Sequence, residues 1–390
     1  MLAGALSNEE KHPPRLLYRN RSPPKRKACG GLAVVVVGDT KHSRNYSQLA
    51  QRAILEILAD QGAAIWDEIE ARTADRVWPG IGIVIEPHHL TTARHALARK
   101  GAITEQVQVT RGSHTVSVLI PTVQSGQNTR TERAARRKRA LQARYLSWTR
   151  GNASEAARIG PAGELMVHSS LLEAASSGYR LLPKGATGVT TVFGSAVPVG
   201  PLDDAALLIT TDSQGIPGPT LLVVVEVKNV RSWVYPSSSE VYQLLEKAAL
   251  LKISHPETGV VPVFVCRRAH YTTFKMAQDL GFHVIAANIQ PIVWQSGDPE
   301  NDRLLEEVRD ELAYADLRPG VGAHPRVVNQ FKNTIPLRAD QVASRWEQVG
   351  SNLLSDYSRL RSESLAGGSR SRAVTALRAA AINLGAAGGW

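Results

Sequence analysis

The run Leu221-Leu222-Val223-Val224-Val225-Glu226-Val227-Lys228 constrains the fold more than any other part of the chain. Its first five residues are apolar on both faces of a strand, so that strand belongs inside a sheet covered by helices on each side. Side chains alternate along a strand, which puts Glu226 and Lys228 together on one face at its end. Charges at the end of a buried strand are costly unless paired or metal-bound, so chemistry is expected there.

The flanking sequence supplies the covering elements. A helix from Glu164 to Ser176 stops before Gly178, and a strand pair is predicted around Tyr179 to Leu182 and Val189 to Phe193. Asp203-Asp204 opens an apolar strand, Ala205 to Ile209, and a turn rich in Gly and Pro (Gly215, Pro217, Gly218, Pro219) leads into Leu221 to Lys228. Then follow a helix, Ser238 to Lys252, a strand, Val260 to Cys266, a helix, Tyr271 to Leu280, and a short strand, Phe282 to Ala286. Asp204 begins the strand before Glu226 and can lie beside it in an antiparallel pair. Two converging carboxylates repel, and a hard divalent ion relieves that repulsion; Mg²⁺, with Mn²⁺ as substitute, suits carboxylates, water and a phosphate oxygen, with the Val227 carbonyl as a further ligand. An ammonium at Lys228 would then orient the attacking water and offset charge on the phosphorus.

Over residues 163 to 294 this arrangement resembles the PD-(D/E)XK, or restriction-endonuclease-like, nuclease superfamily. The resemblance implies an α/β fold with a mixed sheet flanked by helices, and phosphodiester hydrolysis. It implies Asp204 as the first metal ligand, Glu226 and Lys228 as the E-x-K half, Gln243 as the glutamine found in several branches, and Glu164 as an additional acid. Leu202-Asp203 precedes the acid where the family carries proline, so Asp203 stays open as the ligand; the direct continuation into Ala205 to Ile209 favours Asp204.

Upstream, Leu49, Ala53, Ile54, Ile57 and Leu58 recur at helical spacing up to Gly62, and a second short helix carries Ile65 and Ile69. A third helix starts at Pro87, buries Leu90, Ala93 and Leu97, and ends at Gly101. Gln106 to Thr110 and Thr115 to Ile120 alternate as a hairpin around Arg111-Gly112-Ser113-His114. Residues 46 to 122 thus resemble a winged helix-turn-helix, and a winged helix before such a nuclease is similar to the layout of Mrr-like restriction enzymes. The resemblance places Thr91, Thr92, Arg94, His95 and Arg99 toward a major groove, with Arg111 and His114 near phosphates.

Charge supports a polyanionic partner. The chain of 390 residues carries a net +11, and residues 1 to 45 and 124 to 150 hold +6 and +7 of it, leaving −2 for the remainder. The first segment, with Lys25-Arg26-Lys27 and two Pro-Pro pairs, reads as a disordered basic tail carrying a short strand at 32 to 37. The second, with Arg136, Arg137, Lys138 and Arg139, reads as a solvent-exposed basic helix available to phosphates. Arg267 and Arg268 follow a strand end near the site and are further phosphate candidates, as are Asn229 and Arg231. His88 and His89 are adjacent on a helix and point apart, so they read as exposed polar residues.

The expected division is tail 1–45, winged helix 46–122, basic linker 123–160, nuclease-like domain 161–298 and helical region 299–390. In the last, Val342, Trp346, Val349, Leu353, Tyr357 and Leu360 form one apolar stripe, suited to core packing or a coiled-coil-like dimer contact. No apolar run reaches the ~18 residues of a membrane span. Cys29 and Cys266 alone build neither a disulfide scaffold nor an all-cysteine zinc site. Charges and prolines in Met1 to Leu17 do not suit a signal peptide, so a reducing cytoplasm is the expected location. The expectation is a Mg²⁺-dependent DNA endonuclease, with a homodimer as one arrangement for cutting both strands. The alternative is a catalytically inactive DNA-binding regulator or scaffold that keeps the fold.

Overall fold

The structure is a computed structural model and describes residues 40–79, 81–110, 114–122, 129–151, 158–211, 214–294, 298–320, 322–362, 365 and 367–385. Residues 1–39, with Cys29 and the expected strand at 32 to 37, and Arg111 lie outside the described residues; residues 40 to 45, expected as the end of the disordered tail, instead begin a helix.

The first unit runs α1 (Thr40–Gln61), β1 (Ala64–Ile65), α2 (Trp66–Thr73), α3 (Pro87–Arg99), β2 (Ile103–Val109) and β3 (Thr115–Pro121). Its three strands are ordered β1-β3-β2, and β2 with β3 is the antiparallel hairpin expected from the alternation. Ala53, Ile54, Ile57, Leu58, Ile69, Leu90, Ala93 and Leu97 close one core between the helices and the sheet. Pro87 occupies the first turn of α3, where its missing N–H costs nothing.

The next helix corrects the reading of a solvated linker. Although α4 (Thr129–Arg150) carries most of the second basic segment, it buries Ala135, Leu141, Tyr145 and Trp148 against Val116 and Val118 of the first sheet and against Leu304, Leu305 and Val308. The apolar residues between its arginines form a stripe at helical spacing, and that stripe found partners.

The large sheet has order β10-β9-β8-β7-β4, from β4 (Tyr179–Leu181), β7 (Asp204–Thr211), β8 (Pro217–Lys228), β9 (Gly259–Cys266) and β10 (His283–Ala286). β8, β9 and β10 are parallel, while β7 runs antiparallel to β8 and β4 antiparallel to β7. The expected pairing of 179–182 with 189–193 does not form: β4 adds to the large sheet, and β5 (Thr191–Val192) pairs with β6 (Ser195–Ala196) in a small hairpin.

Both faces of β8 are covered, as its sequence requires. Val223, Val225 and Val227 pack with Met166, Val167 and Leu171 of α5 (Gly160–Glu173). Leu222 and Val224 pack with Val241, Leu244, Leu245 and Ala248 of α6 (Ser239–Ser254), alongside Met276 and Leu280 of α7 (Tyr271–Leu280). Burying each such side chain contributes about 1.5–3 kcal/mol, which lets the strand hold charges out of water at its end.

The C-terminal part holds β11 (Gln290–Ile292), α8 (Pro299–Glu311), β12 (Leu317–Pro319), α9 (Pro325–Asn329), α10 (Ile335–Gln348), α11 (Leu354–Arg361) and α12 (Gly367–Gly385). α8 packs on α4, and β12 pairs with β11, so residues 299 to 319 join the two larger units. Trp346, Val349, Leu353, Tyr357 and Leu360 are buried in the core with α6 and α7, which leaves that stripe no free face for a dimer contact. Among the described residues no helix is long and apolar enough to cross a membrane.

Candidate active site

The ladder between β7 and β8 fixes which acid meets Glu226. Asp204 pairs with Val225 and Ala205 with Val224, so continuing the register by one residue sets Asp203 opposite Glu226. Residues directly opposite in an antiparallel pair point to the same face. Asp203 Oδ2 also accepts the backbone N–H of Val227 at 2.6 Å, closing the end of the ladder. Burial, and after it the Glu226 charge, push the Asp203 carboxyl up to about 6; the Val227 N–H works against this, Glu164 adds to the rise and Lys228 opposes it. Asp203, Glu226, Glu164 and Lys228 therefore share one electrostatic neighbourhood.

Asp204 belongs to the other face. It shares the side of Val225, toward α5, where its Oδ2 lies 2.8 Å from Nδ1 of His168 and 3.9 Å from Nζ of Lys184. Its Oδ1 accepts the backbone N–H of Ala205. The preference for Asp204 over Asp203 thus meets a physical objection, because strand alternation turns a residue one step along the strand away from Glu226.

Glu226 is only 1% exposed, and both its oxygens have ammonium partners. Oε1 lies 3.2 Å from Nζ of Lys228, and Oε2 lies 2.9 Å from Nζ of Lys247, itself 2% exposed. Lys247 stands on α6, one turn beyond the half-buried Gln243, and also donates to the Pro201 carbonyl. Sequence reading missed it, although a lysine inside the apolar run Leu244-Leu245-Glu246-Lys247-Ala248-Ala249 was a signal. His168 was missed as well; it follows Glu164 by one turn of α5, so both residues face the strand ends.

α5 reaches the site because Gly163 has no side chain. A Cβ there would come within 2.7 Å of Asn229 Cβ, just past the end of β8. Asn229 Nδ2 donates to the carbonyls of Ile159 and Pro291, both at 2.7 Å, so this residue anchors the start of α5 instead of meeting a phosphate.

Other phosphate candidates are also engaged internally. Arg267, 1% exposed, pairs with Asp75 at 2.6 Å and Asp316 at 2.8 Å, and Arg231 pairs with the same two acids at 3.1 and 2.6 Å. Burial tends to raise the Asp316 carboxyl, but the two guanidiniums prevail and hold it below the usual carboxylate value. Arg268 donates to the Asp75 carbonyl and lies over Trp233. These arginines tie the first unit to the large sheet; buried and paired, Arg231 and Arg267 do not extend toward DNA. Lys138 is buried against Glu68 at 2.7 Å and also donates to the Glu311 carbonyl, whereas Arg137 pairs with Glu311 and Arg139 donates to Gln106.

On α3 the outward set is mostly as expected. Thr91, Thr92, His95 and Arg99 are exposed, while Arg94 folds back over the Trp66 ring at 4.7 Å toward Glu105 at 3.8 Å. Arg136 on α4 is exposed. His114 turns to Ser147 on α4 at 3.1 Å. Cys266 is a buried strand-end residue, its thiol pushed up to about 12 by burial.

No protein-family model matches the chain, and no curated protein does. A solved structure that matches is a repair endonuclease from Pyrococcus abyssi, at 12% identity and a TM-score of 0.20, covering 46% of this chain and 64% of that one. A likeness that loose decides nothing about this chain, and it spans less than two thirds of that protein. What the chain itself presents is a mixed α/β sheet with acids and lysines gathered at the ends of two antiparallel strands.

Proposed function

We propose that this chain is a divalent-metal-dependent DNA endonuclease of the PD-(D/E)XK type, with Asp203, Glu226 and Lys228 at its centre and Glu164 as the additional acid. The observation that carries the reading is the β7–β8 register, whose end pair is Asp204 with Val225; one step further along it Asp203 would stand opposite Glu226, with Lys228 on the same face by strand alternation. The donor set fits a hard cation. Burial is the first cause of the rise of Asp203 toward about 6, and the charges of Glu226 and Glu164 add to it, a repulsion that a cation would relieve. Asp203, Glu226 and Glu164 would hold Mg²⁺ or Mn²⁺, with the Val227 carbonyl as a further oxygen; when bound, the ion would polarise the scissile phosphate and acidify a water.

The chain's own groups supply the remainder. Lys228, 3.2 Å from Glu226, is placed to orient the attacking water and to offset negative charge growing on the phosphate oxygens. Lys247 positions Glu226 from behind by pairing with its second oxygen, and Gln243, one turn earlier on α6, is left to meet substrate.

For DNA engagement, the α-β-α-α-β-β order and the β1-β3-β2 sheet support a winged helix over residues 46 to 122. Its reading surface would be Thr91, Thr92, His95 and Arg99, with Arg136 of α4 adding a phosphate contact. The experiment is plasmid nicking by purified protein in Mg²⁺, Mn²⁺ and EDTA. Metal-dependent nicking supports the proposal, and no nicking in either metal under conditions where DNA is bound defeats it.

One observation favours a second reading. Both oxygens of Glu226 are already neutralised by lysines, as would suit a scaffold that keeps the fold without cleaving. That reading expects salt-sensitive DNA binding indifferent to EDTA and to Glu226→Ala.

A further inference from the structure

At the seam between the first unit and the large sheet, three ligand-type atoms meet that the proposed nuclease reaction does not use. His88 Nδ1 lies 3.2 Å from His270 Nε2, His270 Nε2 lies 3.2 Å from Glu86 Oε2, and Glu86 Oε2 lies 3.4 Å from His88 Nδ1. Among the described residues this is the one group of three such atoms drawn within 4.8 Å of one another. His88 is exposed, as expected, while its Nδ1 faces this group.

No arrangement of protons satisfies this triangle. The carboxylate oxygen only accepts, so its two edges call for a proton on both ring nitrogens, and the histidine–histidine edge would then join two donors. A proton on one ring alone leaves the other ring facing the carboxylate as acceptor against acceptor. A cation at the centre satisfies all three edges at once. The dimensions agree: a tetrahedral ion with bonds of about 2.0–2.1 Å has ligand–ligand edges of about 3.3–3.4 Å.

The site is also built in advance. His270 is buried, Tyr235 stacks on it with ring centroids 4.9 Å apart, and its Nδ1 accepts the Thr272 backbone N–H at 3.4 Å as the cap of α7 and lies 2.7 Å from Thr272 Oγ1; with an ion at Nε2 the ring proton would sit on Nδ1 and point to that hydroxyl. Pro87, between the other two ligands, stiffens the start of α3. Glu86 and His88 are 41% and 42% exposed, so a fourth position opens to water.

We propose that Glu86, His88 and His270 bind one divalent ion of the zinc class, separate from the carboxylate centre, which fastens α3 to the start of α7. Two imidazoles with one carboxylate suit Zn²⁺, or Co²⁺ as its spectroscopic stand-in, over Mg²⁺. Holding α3 to the large sheet would fix the orientation of its exposed face.

The test uses the full chain, stripped with EDTA and returned to excess Mg²⁺ so that the carboxylate centre is filled. Zn²⁺ and Co²⁺ are then titrated into wild type, His88→Ala, His88→Gln and Glu86→Gln, with metal stoichiometry, the visible Co²⁺ spectrum and melting temperature recorded. Wild type should take up one equivalent more than either His88 variant, show tetrahedral Co²⁺ absorption, and melt higher in Zn²⁺. Glu86→Gln should bind more than about tenfold more weakly. If His88→Ala does not fold, His88→Gln and Glu86→Gln carry the comparison. Equal stoichiometry and affinity in wild type and the folded variants overturns the proposal; because all retain Asp203 and Glu226, that result leaves the nuclease reading untouched.

Discussion

Nζ of Lys247 lies 2.9 Å from Oε2 of Glu226, and the two side chains are 2% and 1% exposed. Removing one partner of a buried pair leaves the other charge without compensation at a cost of about 3–5 kcal/mol. Lys228 remains 3.2 Å away, so Lys247→Ala should fall at the low end, about 3 kcal/mol in urea unfolding. Lys247→Arg should recover part of that loss. A change within 0.5 kcal/mol, roughly what an exposed site shows, would mean the pair is not buried in solution.

Asp203 gives the structure a pH signature. Its carboxyl titrates near 6 when folded against an ordinary 3.8, so between those values the native state holds the extra proton. Stability contributed by that proton is present at low pH and is lost as pH rises toward 6. Glu70, pushed up to about 7 by burial and then by Asp67, adds a similar slope higher up, so the Asp203 effect is read as a difference. Asp203→Asn should flatten the wild-type decline between about pH 4 and 6 and be the more stable protein at pH 8, by roughly 1–3 kcal/mol. Parallel pH profiles for the two proteins would contradict the burial of this carboxyl beside Glu226.

Much of this was legible in the sequence because it follows from patterning. The strand Leu221–Lys228, its two covering helices and the hairpin after α3 all obey the alternation or helical spacing of their apolar residues. What the sequence could not supply depended on long-range partners. Register decides between Asp203 and Asp204, and no local cue in two adjacent acids carries it. Arg231, Arg267 and Lys138 look like phosphate ligands until Asp75, Asp316 and Glu68 arrive from elsewhere in the chain. The α4 stripe of Ala135, Leu141, Tyr145 and Trp148 was visible, but its charge density obscured it.

The same contrast separates surface from core in DNA binding. Arg99→Ala and Arg136→Ala should each weaken binding and lower the salt dependence by about one phosphate contact. Lys138→Ala should leave the salt slope unchanged while destabilising the fold, since its ammonium is buried on Glu68. Filter binding or fluorescence anisotropy across a salt series reads the difference. An equal loss of slope in Lys138→Ala would place that lysine at the DNA.

Arg267→Ala removes the centre of the Asp75–Asp316 cluster and should cost about 3–5 kcal/mol. Loosening of the first unit from the large sheet should follow, seen as faster amide exchange around residues 75 and 316. Unchanged stability and exchange would return Arg267 to the list of phosphate ligands.

The central claim is that strand register joins Asp203, and not Asp204, to Glu226 and Lys228. Cleavage of plasmid DNA in Mg²⁺ by wild type, Asp203→Asn, Asp204→Asn and Lys228→Ala tests it most directly. The account predicts that Asp203→Asn and Lys228→Ala lose cleavage while binding DNA as wild type does, and that Asp204→Asn keeps the larger part of it. Full cleavage by Asp203→Asn, with none by Asp204→Asn, would contradict it.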